Sequence, residues 1–246
     1  TLPTGPYRGA GRPEAMFNIE RLIDVAAAET GIGRLAIRRR NLIPIDKPTY
    51  CNPVGLTYEC GAFLANMEEV VELSCWDVFD ERRLESASRG MLRGIGLANY
   101  IETPVGFPRE VCNIKINQKG QVIVAVGTQN HGQGHETSFS QVIFEQLGVG
   151  FDSIKLVGGD TDLISDGGGS HSDRSMRIAG TLMVNGCETI IKTGKTFAAE
   201  MLETHVEDLE FLNGQYRVTG TDHTTSLIDV AQRAAKKGTP LEANEK

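Results

Sequence analysis

The sequence contains no apolar stretch approaching the roughly 20 residues that a membrane-spanning helix needs. Its five cysteines, Cys51, Cys60, Cys75, Cys112 and Cys187, include no C-x-x-C pair. An odd, scattered set of thiols fits a reduced cytoplasmic protein and supplies no iron–sulfur framework. Excess positive charge is also missing: a formal net charge of -7 argues against a nucleic-acid surface. Arg38-Arg39-Arg40 is the only basic run, and it ends a helical stretch, where cations suit the helix dipole and face solvent. The glycine-rich runs carry neither G-x-G-x-x-G nor a P-loop lysine, so no nucleotide fingerprint applies. No initiator Met or signal-peptide pattern precedes Thr1-Leu2-Pro3-Thr4-Gly5, and the sequence reads as part of something longer.

What is there has ordinary soluble composition, 40% hydrophobic and 23% charged, enough for one or two domains with a substantial core. Pro13 and Glu14 open a helix with Phe17, Leu22, Val25 and Ala26 as its apolar face. Gly31 and Gly33 punctuate it before a shorter helix through Leu35 and Ile37. Residues 43–61 are Pro-rich and irregular, as in a connector, and residues 63–73 and 76–87 read as two helices. Residues 94–98 then read as the start of a strand. Residues 111–116 alternate and turn through Gln118-Lys119-Gly120 into 122–126. Helix is expected over 136–147, strand over 154–157, helix over most of 176–209, a hairpin around Asn213-Gly214, and a last helix over 227–236. This order predicts an α+β fold of mixed sheets with packed helices, with a helical part over residues 1–90 and an α+β part over 91–246.

Four runs combine glycines with amide, hydroxyl or guanidinium groups that grip polar ligands: Tyr7-Arg8-Gly9-Ala10-Gly11-Arg12-Pro13, His131-Gly132-Gln133-Gly134-His135-Glu136-Thr137, Gly159-Asp160-Thr161-Asp162, and Gly167-Gly168-Gly169-Ser170-His171-Ser172-Asp173-Arg174-Ser175. The second falls between a strand and a helix, where backbone N–H groups and the positive helix end can hold an anion. Gln133 offers an amide with donor and acceptor atoms, and Thr137 a hydroxyl for a cap or a phosphate. In the fourth, Ser170, Ser172, Arg174 and Ser175 can wrap a phosphate, or simply form a surface loop. A zinc site at His131 and His135 is disfavoured because Gly132 and Gly134 disrupt a regular helix there. A calcium loop over Asp160, Asp162 and Asp166 fails because Ile164 stands at its fifth position.

In this order and spacing the runs resemble the molybdenum-binding large subunit of the xanthine dehydrogenase, aldehyde oxidase and carbon monoxide dehydrogenase family, over roughly residues 5–230. The resemblance implies a molybdopterin-binding fold and oxidative hydroxylation of an aldehyde or heteroaromatic substrate. By it, Arg8 and Gly9 approach the molybdenum, with Arg8 a candidate catalytic cation. Gly132, Gln133, Gly134, Thr137, Ser170, Ser172, Arg174 and Ser175 hold the pyranopterin and its phosphate. Ala10, Asn99 and Tyr100 are candidate substrate contacts. It further implies molybdopterin, as the cytosine dinucleotide, with molybdenum, and iron–sulfur clusters and FAD on partner chains or segments. No residue here is expected to ligate the metal directly. The family's catalytic glutamate is expected beyond this chain, which by itself should be inactive. Asp173 replaces the usual serine. Gly9 stands where the carbon monoxide branch has cysteine, and Ala10 where purine-oxidising relatives have phenylalanine. A non-catalytic cofactor-binding or assembly module is the alternative that the same residues support.

Overall fold

The structure is a computed structural model that describes residues 5, 7–44, 49–102 and 106–246. Thr1-Leu2-Pro3-Thr4 of the opening run and residues 45–48 of the Pro-rich stretch lie outside the described residues. The chain forms two compact units, Thr1–Glu102 and Thr103–Lys246.

In the first unit α1 (Arg12–Thr30) starts with Pro at its N-terminal end and stops at Gly31, whose φ of 66° is the left-handed conformation that glycine adopts without strain. It is followed by α2 (Arg34–Asn41), the short antiparallel strands β1 (Tyr50–Cys51) and β2 (Thr57–Tyr58), α3 (Phe63–Leu73), a single turn over Trp76–Val78, and α4 (Phe79–Ser88). The expected apolar face of α1 is not what this unit buries: Phe17 and Leu22 are 70% and 63% exposed, whereas Glu20 is buried. Arg38 explains the inversion. Its guanidinium, 3% exposed, donates to Glu20 Oε2 from Nε and Nη2 at 2.9 and 2.7 Å and to Asp24 Oδ1 from Nη1 at 2.9 Å. The solvated reading of the arginine run is therefore corrected at Arg38, while Arg39 pairs with Glu68 at the surface. The strand expected over 94–98 is absent for a related reason. The Ile95 and Leu97 carbonyls accept from Arg34 Nη1 (3.0 Å) and Arg38 Nη2 (3.2 Å) in place of a strand partner.

The second unit holds β3 (Cys112–Ile116), β4 (Val122–Val126), α5 (His135–Leu147), β5 (Ile154–Gly158), α6 (Gly180–Leu202), β6 (Leu209–Leu212), β7 (Gln215–Val218), β8 (Thr224–Ser226), α7 (Leu227–Lys236) and β9 (Glu242–Glu245). One sheet has the order β5-β4-β3-β9, with β4 and β5 parallel and the other pairs antiparallel. The second, β6-β7-β8, is antiparallel. Ile114, Val122 and Val124 of the first sheet form one buried cluster with Phe139, Ile143 and Leu147 of α5 and Met183, Cys187 and Ile190 of α6. Burial raises the thiols of Cys112 and Cys187 to about 12, so they serve as small apolar groups. The helix expected as far as 209 ends at Leu202, because Glu203 turns left-handed (φ 51°) and Leu209 already begins β6. A wide π turn, Ser175–Ala179, runs directly into α6. At Gly194, α6 lies so close to β7 that an added Cβ would meet Tyr216 Oη at 2.0 Å. These strands and helices make the molecule α+β, as the sequence pattern predicts.

Candidate functional site

In the second unit β4 leads through Thr128 into a tight turn before α5. Asn130 organises that turn. Its Oδ1 accepts from the backbone N–H groups of Gly132, Gln133 and Gly134 at 3.0, 3.1 and 3.3 Å, and its Nδ2 donates to the Glu136 carboxylate. Gly132 and Gly134 take φ of 98° and 78°, which the turn requires. Helix α5 starts without an N-cap side chain, and the Glu136 carboxylate of its first turn accepts from its own backbone N–H, so only part of the positive helix end is left for another acceptor. Thr137 is exposed on the first turn. The Glu136 carboxyl is held below its ordinary pKa, chiefly through the hydrogen bond from Asn130. His135 is 6% exposed, and its Nδ1 has no hydrogen-bond partner among the described residues. Burial, the leading cause, holds its pKa below the ordinary histidine value.

The Gly-rich loop meets this turn through a continuous chain of polar side chains. Gln133 Nε2 donates to Ser170 Oγ (2.5 Å), Ser170 Oγ is 3.0 Å from Ser175 Oγ, and Ser175 Oγ is 2.5 Å from Thr128 Oγ1. Gln133 also accepts from the His131 N–H through Oε1 (2.5 Å). Ser172 Oγ sits 3.0 Å from His171 Nδ1. The structure thus joins Gln133, Ser170 and Ser175, and sets Gly132, Gly134 and Thr137 beside them in the same turn. Arg174, grouped with them from sequence, is completely buried, with its donors engaged by Glu110 and main-chain carbonyls. Sequence reasoning passed over Asn130, Thr128 and Glu110. An Asn two residues before a glycine is a turn signal and could have flagged Asn130. Thr128 and Glu110 carry no local signal. In the third run Asp160 Oδ1 accepts from its neighbour's backbone, Asp162 N–H (3.0 Å). Among the described residues no group of three or more His, Cys, Asp or Glu could hold a metal ion.

In the first unit, Ala10 N–H donates to Tyr7 O (2.6 Å) and Arg12 N–H to Gly9 O (3.0 Å), forming a turn in front of α1 that exposes Arg8 and Ala10. Gly9 has φ 97°, and an added Cβ would lie 2.6 Å from Pro13 Cδ. A cleft of about 710 Å³ is lined by Gly9, Phe17, Tyr100 and an Arg12–Glu102 ion pair (3.0 Å), among others. Gly9 and Tyr100 therefore share one cleft. Asn99 does not line it; it lines a cavity of about 430 Å³ against Ile37 and Leu42, and its buried Nδ2 has no partner among the described residues.

The donor set of the second unit consists of neutral amides, hydroxyls and a helix N-terminus, which suits a phosphorylated heterocycle rather than a bare metal ion. The partnerless buried Nδ1 of His135 fits a site that gains a polar group on binding. Such features define a cofactor-binding α+β module. The chain belongs to the molybdopterin cofactor-binding domain family, whose models match residues 69–246 and 1–42. It is 31% identical over 234 residues to the 6-hydroxypseudooxynicotine dehydrogenase complex subunit gamma of Paenarthrobacter nicotinovorans, covering 93% of this chain and 30% of that relative. It is 28% identical over 236 residues to the carbon monoxide dehydrogenase large chain of Hydrogenophaga pseudoflava, covering 90% of this chain and 29% of that one. The solved quinoline 2-oxidoreductase of Pseudomonas putida 86 superposes with a TM-score of 0.80 at 27% identity, over 99% of this chain and 34% of that one. The chain thus spans about 30% of the length of the curated relatives it matches.

Proposed function

We propose that this chain supplies cofactor-binding loops of a molybdenum hydroxylase large subunit that oxidises an aldehyde or nitrogen heteroaromatic. The observation that carries the reading is the unbroken polar chain Gln133–Ser170–Ser175–Thr128 beside the uncapped start of α5. In it, Gln133 presents its amide to the pterin edge, while Ser170, Ser172, Ser175 and Thr137 donate to phosphate, and Gly132 and Gly134, whose N–H groups are held by Asn130, let the ligand approach the turn closely. When bound, molybdenum supplies a Lewis acid that lowers the pKa of coordinated water and orients substrate. Arg8, exposed in the turn before α1, would be the cation that stabilises negative charge at the metal centre. The cleft shared by Gly9 and Tyr100 admits the substrate, with Ala10 as a further contact; Asn99, which lines a different cavity, is left out of this substrate path.

Carbon monoxide is the poorer substrate, because Gly9 stands where the carbon monoxide branch has cysteine. Small Ala10, where purine-oxidising relatives have phenylalanine, removes the aromatic face at that position and makes a purine the poorer substrate. The finer assignments are the cytosine dinucleotide form of the pterin, iron–sulfur and flavin partners that carry electrons away, and a cytoplasmic location. Among the described residues no helix is long and apolar enough to cross a membrane. The test is metal and pterin analysis of the complete protein purified from its host. Molybdenum and pterin near one per chain are expected, and a protein with neither overturns the reading.

A further inference from the structure

Arg174 closes the Gly-rich loop, and its residue exposure is 0%. All three guanidinium nitrogens are engaged. Nε donates to Phe107 O (2.9 Å), Nη1 to Glu110 Oε2 (2.6 Å) and to Gly169 O, and Nη2 to Arg109 O. The Glu110 side chain is equally buried, and its Oε1 accepts from the Val111 N–H at 3.1 Å. The surrounding glycines make room for this pair. A Cβ at Gly168 would lie 2.4 Å from Arg174 Cζ, one at Gly127 2.3 Å from Glu110 Oε1, and one at Gly167 2.7 Å from Gly127 Cα. The glycines at 167 and 168 thus permit close packing over an ion pair, rather than close approach to a ligand. Between the pair and the serines the loop holds Ser172 and Asp173 at φ 52° and 60°, a conformation that persists only where surrounding contacts over-determine it.

We infer that Glu110 and Arg174 are positioning residues: they pin loop 167–175 to segment 107–111 and so hold Ser170 and Ser175 in register with Thr128 and Gln133, without themselves touching the cofactor. The inference rests on the proposed cofactor role of those serines. A buried ion pair adds little net stability over apolar packing, yet breaking it leaves a stranded charge. Its value here is geometric. One planar fork gathers three carbonyls and a carboxylate from two segments, which lysine, a point charge on a flexible stem, cannot match.

The experiment uses R174K and E110Q in the complete protein, with molybdenum and pterin content measured beside backbone deuterium exchange of the cofactor-free form. Expected is exchange at least about tenfold faster in residues 106–111 and 167–175, with β4 and α6 unchanged. Cofactor content should fall in the same variants. Cofactor loss without any change in exchange would assign Arg174 to the ligand directly and overturn the inference. Faster exchange throughout the unit, or failure of both variants to fold, would make the pair a general support of the core and also overturn it. Wild-type cofactor content at both variants would overturn it as well. If the wild-type protein carries no molybdenum or pterin, the functional reading fails, while the exchange pattern still decides whether the clamp exists.

Discussion

His135 sets helix geometry against charge. It is the first residue of α5, where the dipole disfavours a cation, and it is buried, which disfavours the protonated ring further. Its pKa is lowered in the folded chain, so near pH 6 the unfolded chain binds more protons than the folded one. Its contribution to stability is therefore complete above the unfolded value of about 6.5 and is lost as pH falls towards the lowered native value. In the cofactor-free protein, urea midpoints should drop between pH 6.5 and 5, with a slope from this proton of at most about 1.4 kcal/mol per pH unit. His135→Gln should flatten that slope; an unchanged slope would place the titration elsewhere. Glu68, Glu136 and Glu200, whose carboxyls are also held low, lose their contribution only below the ordinary glutamate range and leave this window clear. None of this was legible at His135 itself, which reads in sequence as one of two polar residues flanking a Gly-Gln-Gly turn. Burial of a polar ring depends on what packs over it, here Phe139 one helical turn on, stacked at 4.6 Å.

Elements were legible where local pattern and burial agree. The alternation of β3, the Gln118-Lys119-Gly120 turn and the hydrophobic run of β4 come straight from residue order, as does α7, whose Ser226 cap the structure adds. Strand β9 was not legible, because Glu242-Ala243-Asn244-Glu245 has little strand propensity and is extended only by pairing with β3. Neither were the buried pairs Arg38–Glu20 and Arg174–Glu110, whose partners stand 18 and 64 residues away. Glycine is ordinarily a weak helix position, yet at Gly194 it fixes how closely α6 and β7 approach. Gly194→Ala, favourable by roughly 0.5–1 kcal/mol in an exposed helix, should here destabilise by about 1–3 kcal/mol through overpacking against Tyr216. Adding Tyr216→Phe removes the Oη that the new methyl meets and should recover part of that loss, although it also removes the hydrogen bond to Ile191 O. Chemical denaturation of the two single variants and the double variant measures the coupling. Additive effects would show that the contact is not what costs stability.

Across the whole molecule, the first unit leaves Phe17, Leu22 and Leu73 at least 63% exposed, and the chain covers about 30% of its relatives. A cofactor clasped from several segments loses about 1.5–3 kcal/mol with each charge-assisted hydrogen bond that is missing. This chain expressed by itself is therefore expected to hold less than about 0.1 molybdenum per chain by elemental analysis, a steep fall in affinity from those missing bonds. A stoichiometric metal content would show that these loops suffice. The π turn at Ser175–Ala179 has a consequence of another kind, for how the gene can change in length. Each residue of a helix rotates the next by about 100°, so one insertion or deletion between Arg174 and Gly180 would turn all that follows by over a quarter of a revolution. Met183, Cys187 and Ile190 would leave the sheet, or Arg174 would leave Glu110; the two cannot both stay in phase. Substitution is tolerable at exposed Met176 and Arg177, but the spacing is not free to drift, and natural length variation belongs before the loop or after Leu202.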